Sequence, residues 1–197
     1  MRVRTRIAWA ITGAGHNLEA CADLFLRHDN VDIFLSRAAE EVIRIYGLED
    51  KLVTSRRRIY RERQFSAPLV VRLFRGDYKV LVVAPATSNS VAKFVCGISD
   101  SLVTNMFAQA GKSRVDIIVM PTDIAPEMDS IGPHHEPIKI PTDLAISVRR
   151  FIGNAIVIII HATVGDDDRT AVQDVVYRPA RGRTGISLGV RAHDFTQ

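Results

Sequence analysis

KVLVVAPATSNSVAKFVC, residues 79–96, is the stretch whose reading decides the fold. Lys79 to Ala84 is an apolar run with little alternation, as expected of a strand covered on both faces. Thr87, Ser88, Asn89 and Ser90 follow at once and open a helix with hydroxyl and amide side chains. A strand running straight into a helix N-terminus gathers backbone N–H groups and the positive end of the helix dipole, a site for an anionic group such as a phosphate. The same residues could also serve as helix caps alone.

Three further runs repeat that apolar character, Arg6 to Thr12, Val31 to Ser36 and Val115 to Met120, and Ala155 to Ala162 reads as a fifth strand of the same kind. Helical patterns lie between them. Leu18, Cys21, Ala22, Phe25 and Leu26 share one face of a helix over about Leu18 to His28, and a second over Arg37 to Tyr46 is stopped by Gly47. Strands alternating with helices predict an α/β fold, a three-layer doubly wound (Rossmann-like) sheet, mainly parallel, with right-handed crossovers. Residues 48–66 read as a charged, irregular excursion ahead of a short helix near Pro68 to Phe74. Pro121 to Pro141 holds five prolines and is too broken for a helix. It leaves the C-terminal end of the fourth strand, where open α/β sheets bind ligands, so it is expected to cover one. Residues 1–165 read as one domain and residues 166–197 as a C-terminal extension, an oligomer arm or short strands.

With 197 residues, 47% of them hydrophobic, the chain suits one substantial core. Cys21 and Cys96 lack metal or redox spacing and read as two small buried hydrophobes, so no metal site or disulfide is expected. The basic, then apolar N-terminus breaks at Gly13 and reads as a buried strand rather than a leader. The apolar run Ala155 to Ile160 falls well short of the ~20 residues that span a membrane. A soluble, cytoplasmic protein with no membrane partner is the expectation. Net charge is +4, and basic residues cluster in SRRRIYRER, residues 55–63. That block suits a solvated or intersubunit face or the attraction of an anionic substrate. It carries no base-reading motif, so no nucleic acid is expected.

The first strand ends in ITGAGHN, but a dinucleotide-binding GxGxxG would need glycine where Leu18 stands. Gly13 and Gly15 still permit close approach to the backbone, and Asn17 could cap the next helix. The second strand ends in Leu35-Ser36-Arg37. Three strands therefore finish in small or hydroxyl residues on one rim, which favours a phosphate-bearing ligand over three separate caps.

ITGAGH at 11–16, LSRAAEEV at 35–42 and APATSNSVAKFVCGISDSLVTN at 84–105 together resemble the flavoprotein family of homo-oligomeric FMN proteins, which includes cysteine decarboxylases and flavin prenyltransferases. The resemblance covers roughly residues 5–152 and is nearest to the branch of archaeoflavoproteins and dihydromethanopterin reductase. It implies that Gly13, Ala14 and Gly15 line FMN, that Ser36 contacts its phosphate or ribityl chain, and that Ala86, Thr87, Ser88, Asn89 and Ser90 form a third wall. Asp100 and Thr104 would lie near the flavin or at a subunit contact. It also implies a homo-oligomer built from trimers, which can assemble into a larger shell.

Departures from the pattern separate the branches. The segment Phe65 to Tyr78 lacks the decarboxylase histidine, the sequence after the fourth strand reads MPTDIAPEM rather than PxMNxxM, and Pro121-Thr122-Asp123 stands where prenyltransferases would offer arginine and glutamate. The resemblance thus implies an FMN-dependent reductase in one-carbon metabolism. It would take electrons from NADH or NADPH and pass them to a pterin, dihydromethanopterin becoming tetrahydromethanopterin. The alternative is a non-enzymatic FMN electron-transfer protein that docks on redox partners. Reducing a C=N bond needs a proton, for which His16 and Asp123 are the first candidates and His134 and His135 the next.

Overall fold

A computed structural model describes residues 6–64, 67–122, 127–141, 159–164 and 170–176. Five parallel strands form the central sheet: β1 (Arg6–Ile11), β2 (Val31–Leu35), β3 (Arg58–Arg61), β4 (Tyr78–Ala86) and β5 (Asp116–Pro121). Their order is β3-β2-β1-β4-β5, so the chain winds outward in both directions from the β1–β4 pair. The helices are α1 (Leu18–Leu26), α2 (Arg37–Ile45), α3 (Glu49–Thr54), α4 (Ala67–Phe74), α5 (Ser88–Cys96) and α6 (Leu102–Lys112).

Successive strand residues point to opposite faces, and both faces are apolar here. Ala8, Ala10, Leu81 and Val83 pack beneath α5 and α6 with Val91, Phe94, Val103 and Met106. Trp9, Ile11, Val82 and Ala84 meet Leu18, Phe25, Ala39 and Ile43 of α1 and α2. Each fully buried large side chain contributes about 1.5–3 kcal/mol, which is why both helical layers hold to the sheet.

At the N-terminal pole of the strands lies a buried charge. Asp32 is fully buried, takes two bonds from the Arg6 guanidinium and accepts the Tyr78 hydroxyl at 2.7 Å. Arg72 on α4 stands 3.9 Å from the same carboxylate and over the Tyr78 ring. Burial and the Asp32 charge push the Tyr78 hydroxyl far up, so it remains a donor.

Several expectations are corrected. The described part of the expected irregular excursion, residues 48–64, is ordered into elements: α3 lies there, and β3 pairs in parallel with β2 from Asp32↔Arg58 to Leu35↔Arg61. Its sequence, RIYR, looks like a charge run because an edge strand carries charge. The fifth sheet strand is therefore β3. Within the expected Ala155–Ala162 strand, residues 155–158 lie outside the described residues. The remainder opens β8 (Ile159–Val164), which pairs antiparallel with β9 (Thr170–Val176) in a separate sheet. The proline-rich stretch contains an antiparallel hairpin, β6 (Glu127–Ile131) and β7 (Pro137–Pro141), turned through Gly132 and His135. A two-stranded hairpin has only edge strands, which tolerate proline.

Cys21 is buried as expected but Cys96, at the end of α5, is exposed. Burial pushes the Cys21 thiol up to about 12. In the native protein a thiol reagent should therefore label Cys96 alone, with Cys21 reacting only after unfolding. Two rapidly titrated thiols without denaturant would contradict that placement.

Candidate functional site

The chain leaves β1 toward α1 on one face of the sheet and leaves β4 toward α5 on the other, which opens a crevice at the C-terminal rim between these two strands. Thr12, the residue after β1, closes its floor. Its hydroxyl donates to Pro85 O at 2.9 Å and accepts from Thr87 N–H at 2.9 Å, while its own N–H reaches Pro85 O at 3.2 Å. Trp9 Nε1 adds a bond to Ala84 O at 2.7 Å. The glycine loop and the start of α5 are thereby fixed to each other.

Thr87 is the N-cap of α5: its Oγ1 accepts from Ser90 N–H at 3.2 Å and lies 3.0 Å from Ser90 Oγ. Asn89 is exposed, Ser88 and Ser90 are half-buried, and Ala86 is buried. Ser36 caps α2 in the same way, accepting from Ala39 N–H at 3.1 Å, and its N–H bonds Ile11 O at 3.1 Å. Two capped helix N-termini thus flank the first-strand loop on the same rim, where first-turn N–H groups and helix dipoles favour an anion.

The glycines serve a tighter purpose than open access. A Cβ on Gly13 would stand 2.6 Å from Ala38 Cβ, and one on Gly15 would strike the Tyr46 ring, with Cζ at 2.8 Å. Both let α2 close against the loop. Ala14 between them is buried. Asn17 does not cap α1 through its side chain; it occupies the left-handed region at φ 60°.

The hairpin then folds back onto this loop. His16 Nδ1 lies 2.9 Å from Ser130 Oγ, and the Tyr46 hydroxyl donates to Ile131 O at 3.1 Å. Burial, with the Glu136 and Glu19 carboxylates, pushes the Tyr46 hydroxyl up and keeps it a donor. Replacing Tyr46 by Phe together with Ser130→Ala should loosen the hairpin by about 1–2 kcal/mol. The readout is faster amide exchange at Gly132 with little change in Tm; unchanged exchange would mean that other contacts hold it.

Other sequence candidates fall elsewhere. Thr104 is buried and forms a capping box with Ser101 at the start of α6: Ser101 N–H bonds Thr104 Oγ1 at 2.9 Å and Thr104 N–H bonds Ser101 Oγ at 3.2 Å. Asp100 is exposed and ion-paired to Lys93 at 2.7 Å, and that bond lowers its carboxyl below the usual range. His134 and His135 are exposed on the hairpin turn. Asp123 lies outside the described residues. Of the basic block, Arg57 bonds Asp29 at 3.2 Å and Leu26 O at 2.9 Å, capping the end of α1, while Arg56, Arg58 and Arg63 are exposed. Among the described residues no group of three or more His, Cys, Asp or Glu could hold a metal, and no helix is long and apolar enough to cross a membrane.

Sequence reading missed Thr12, Tyr46 and Ser130. Thr12 carried a signal, a hydroxyl between an apolar strand and a glycine loop. Tyr46 and Ser130 carried none, because their roles depend on contacts with distant residues.

The Flavoprotein family model matches residues 1–136. A dihydromethanopterin reductase (acceptor) of Methanosarcina mazei is 46% identical over 143 residues, covering 66% of this chain and 60% of the relative. One from Methanocaldococcus jannaschii is 41% identical over 134 residues, covering 61% and 54%. The chain thus spans little more than half the length of these curated relatives. The crystal structure of Burkholderia xenovorans DmrB in complex with FMN, a cubic protein cage for redox transfer, matches with a TM-score of 0.67 at 37% identity over 77% of this chain and 84% of that one. A phenylacrylic acid decarboxylase from Aquifex aeolicus, at 21% identity and a TM-score of 0.56 over 84% and 87% of the two chains, shares the fold. A five-stranded parallel sheet, a crevice at its central strand pair and a family match over more than half of the sequence lead to one assignment: this chain belongs to the Flavoprotein family.

Proposed function

We propose that the chain binds FMN in the β1–β4 crevice and acts as a reductase that passes electrons from NADH or NADPH to a pterin, with dihydromethanopterin the expected substrate. The observation that carries this reading is the Thr12 bridge, which holds the glycine loop and the Thr87 cap on one rim, in a chain 46% identical to a reductase of that name. The residues fit the cofactor: Ser36 and Thr87 start helices whose first turns suit its phosphate, and Gly13, Ala14 and Gly15 form the adjoining wall. Ala86, Ser88, Asn89 and Ser90 complete the far wall, while the exposed Asp100 would act at a subunit contact and the buried Thr104 caps α6. FMN supplies the two-electron chemistry that no side chain can.

The protein's own tasks are to hold, shield and protonate. The hairpin lies over the loop through Ser130 and Tyr46. His16, oriented by Ser130 through Nδ1, is the proton-bearing group beside the crevice. Asp123 is the second proton candidate. A homo-oligomer built from trimers fits the exposed Val71 and Phe74 on α4 and the cage formed by the Burkholderia neighbour.

A visible spectrum of purified protein, followed anaerobically by NADH or NADPH and then by a dihydropterin, tests the proposal. Bands near ~450 nm that bleach with nucleotide and return with pterin are expected. A flavin that pterin cannot reoxidise would point to the electron-carrier reading. A protein that cannot be loaded with FMN would refute the site itself.

A further inference from the structure

A second feature of the same rim lies on the β2–β3 side. Arg37 is the first residue of α2, Arg61 ends β3, and Arg63 follows closely; with Arg44 they line an open cleft of about 600 Å3. Two of these charges are matched: Arg61 holds Glu40 at 2.8 Å, and Arg44 sits 3.9 Å from Glu49. Arg37 and Arg63 are exposed and form no ion pair among the described residues. A cation in the first turn opposes the helix dipole, so Arg37 adds to a positive field instead of relieving it. Glu62 on the cleft wall accepts from Leu102 N–H through Oε1 at 2.7 Å, whereas its Oε2 is buried without a hydrogen-bond partner among the described residues. That oxygen is a negative charge at the cleft wall, and it offsets part of the field of the arginines.

We infer that this cleft binds a phosphomonoester carried by a substrate of the flavin site, with Arg37 and Arg63 as its two guanidinium forks. The inference rests on the proposed FMN reading. A phosphomonoester carries about −1.5 to −2 charges at neutral pH; Arg37 and Arg63 against the Glu62 carboxylate leave the cleft an excess of one positive charge, and a guanidinium meets phosphate oxygens two at a time. β2 ends Leu35-Ser36-Arg37, so Arg37 stands directly beside the cap that the FMN reading gives to the flavin phosphate. Strands about 4.8 Å apart put the cleft roughly 10 Å from the β1–β4 crevice, a span within the length of a dinucleotide or a phosphorylated pterin.

Calorimetric titration of the purified full-length protein with adenosine 2′,5′-bisphosphate and with adenosine 5′-phosphate tests the site directly. The bisphosphate is expected to bind at least about tenfold tighter, an advantage that shrinks with added salt and disappears in the Arg37→Ala, Arg63→Ala double variant. The Arg37→Lys, Arg63→Lys variant should recover part of it, since charge returns without the fork. Equal affinity for the two probes, or an unchanged double variant of normal Tm, overturns the proposal. Flavin half-reactions then identify the source of the phosphate. A loss of NADPH reduction with NADH reduction unaltered assigns it to the donor, and slower reoxidation by a phosphorylated pterin alone assigns it to the acceptor. Failure of the FMN reading shows separately, as missing ~450 nm absorbance, because the probe titration needs no turnover.

Discussion

Asp32→Ala is expected to lower the unfolding free energy by about 3 kcal/mol. Removing the carboxylate leaves the Arg6 guanidinium, the Tyr78 hydroxyl and Arg72 facing a cavity between β2, β4 and α4. Breaking a buried ion pair by deleting one partner typically costs 3–5 kcal/mol, and the lower end applies because the Arg6 side chain is 26% exposed and can rehydrate. Domains of this kind hold only about 5–15 kcal/mol in total, so urea denaturation should show the loss plainly. Asp32→Asn keeps the volume and one acceptor and should cost less. A loss below about 1 kcal/mol for the alanine variant would mean that the network is dispensable.

Gly13→Ala is expected to cost the protein its flavin, with affinity falling roughly a hundredfold, while the fold persists. The added carbon would stand 2.6 Å from Ala38 Cβ, closer than real Cβ contacts come, so the first turn of α2 must move and take Ser36 with it. The second-site variant Ala38→Gly removes the obstructing atom and leaves the next Ala38 atoms at 3.6 Å. Gly13→Ala combined with Ala38→Gly should therefore recover yellow protein. Loss of colour in both the single and the double variant would show that the glycine is required by the ligand itself rather than by α2. Full colour in the single variant would remove Ser36 from the cradle.

The two-faced core was legible because consecutive apolar residues fill the strand centres: Trp9 and Ile11 face one helical layer, Ala8 and Ala10 the other. The caps were legible for an equally local reason, since Ser36 and Thr87 bond their own helices within three residues. β3 was not, because charge on an edge strand imitates a solvated loop. The hairpin was hidden by Pro137 and Pro141, which argue against a strand everywhere except at an edge. Asp100 and Thr104 look alike in sequence to the hydroxyl and acid groups of a ligand wall. In the fold one pairs with Lys93 and the other with Ser101, and only the three-dimensional arrangement separates a helix cap from a cradle.

The roof over the first-strand loop is made by residues translated long after the loop itself. His16 and Ser130 are separated by 114 positions, and Tyr46 and Ile131 by 85, whereas Thr12 meets Thr87 across 75. A nascent chain can thus join the floor of the crevice once α5 has emerged, yet the crevice stays open to solvent until the hairpin follows. Cofactor retention belongs to the close of biosynthetic folding, and a chain stalled before Glu127 would present a formed but leaky cradle.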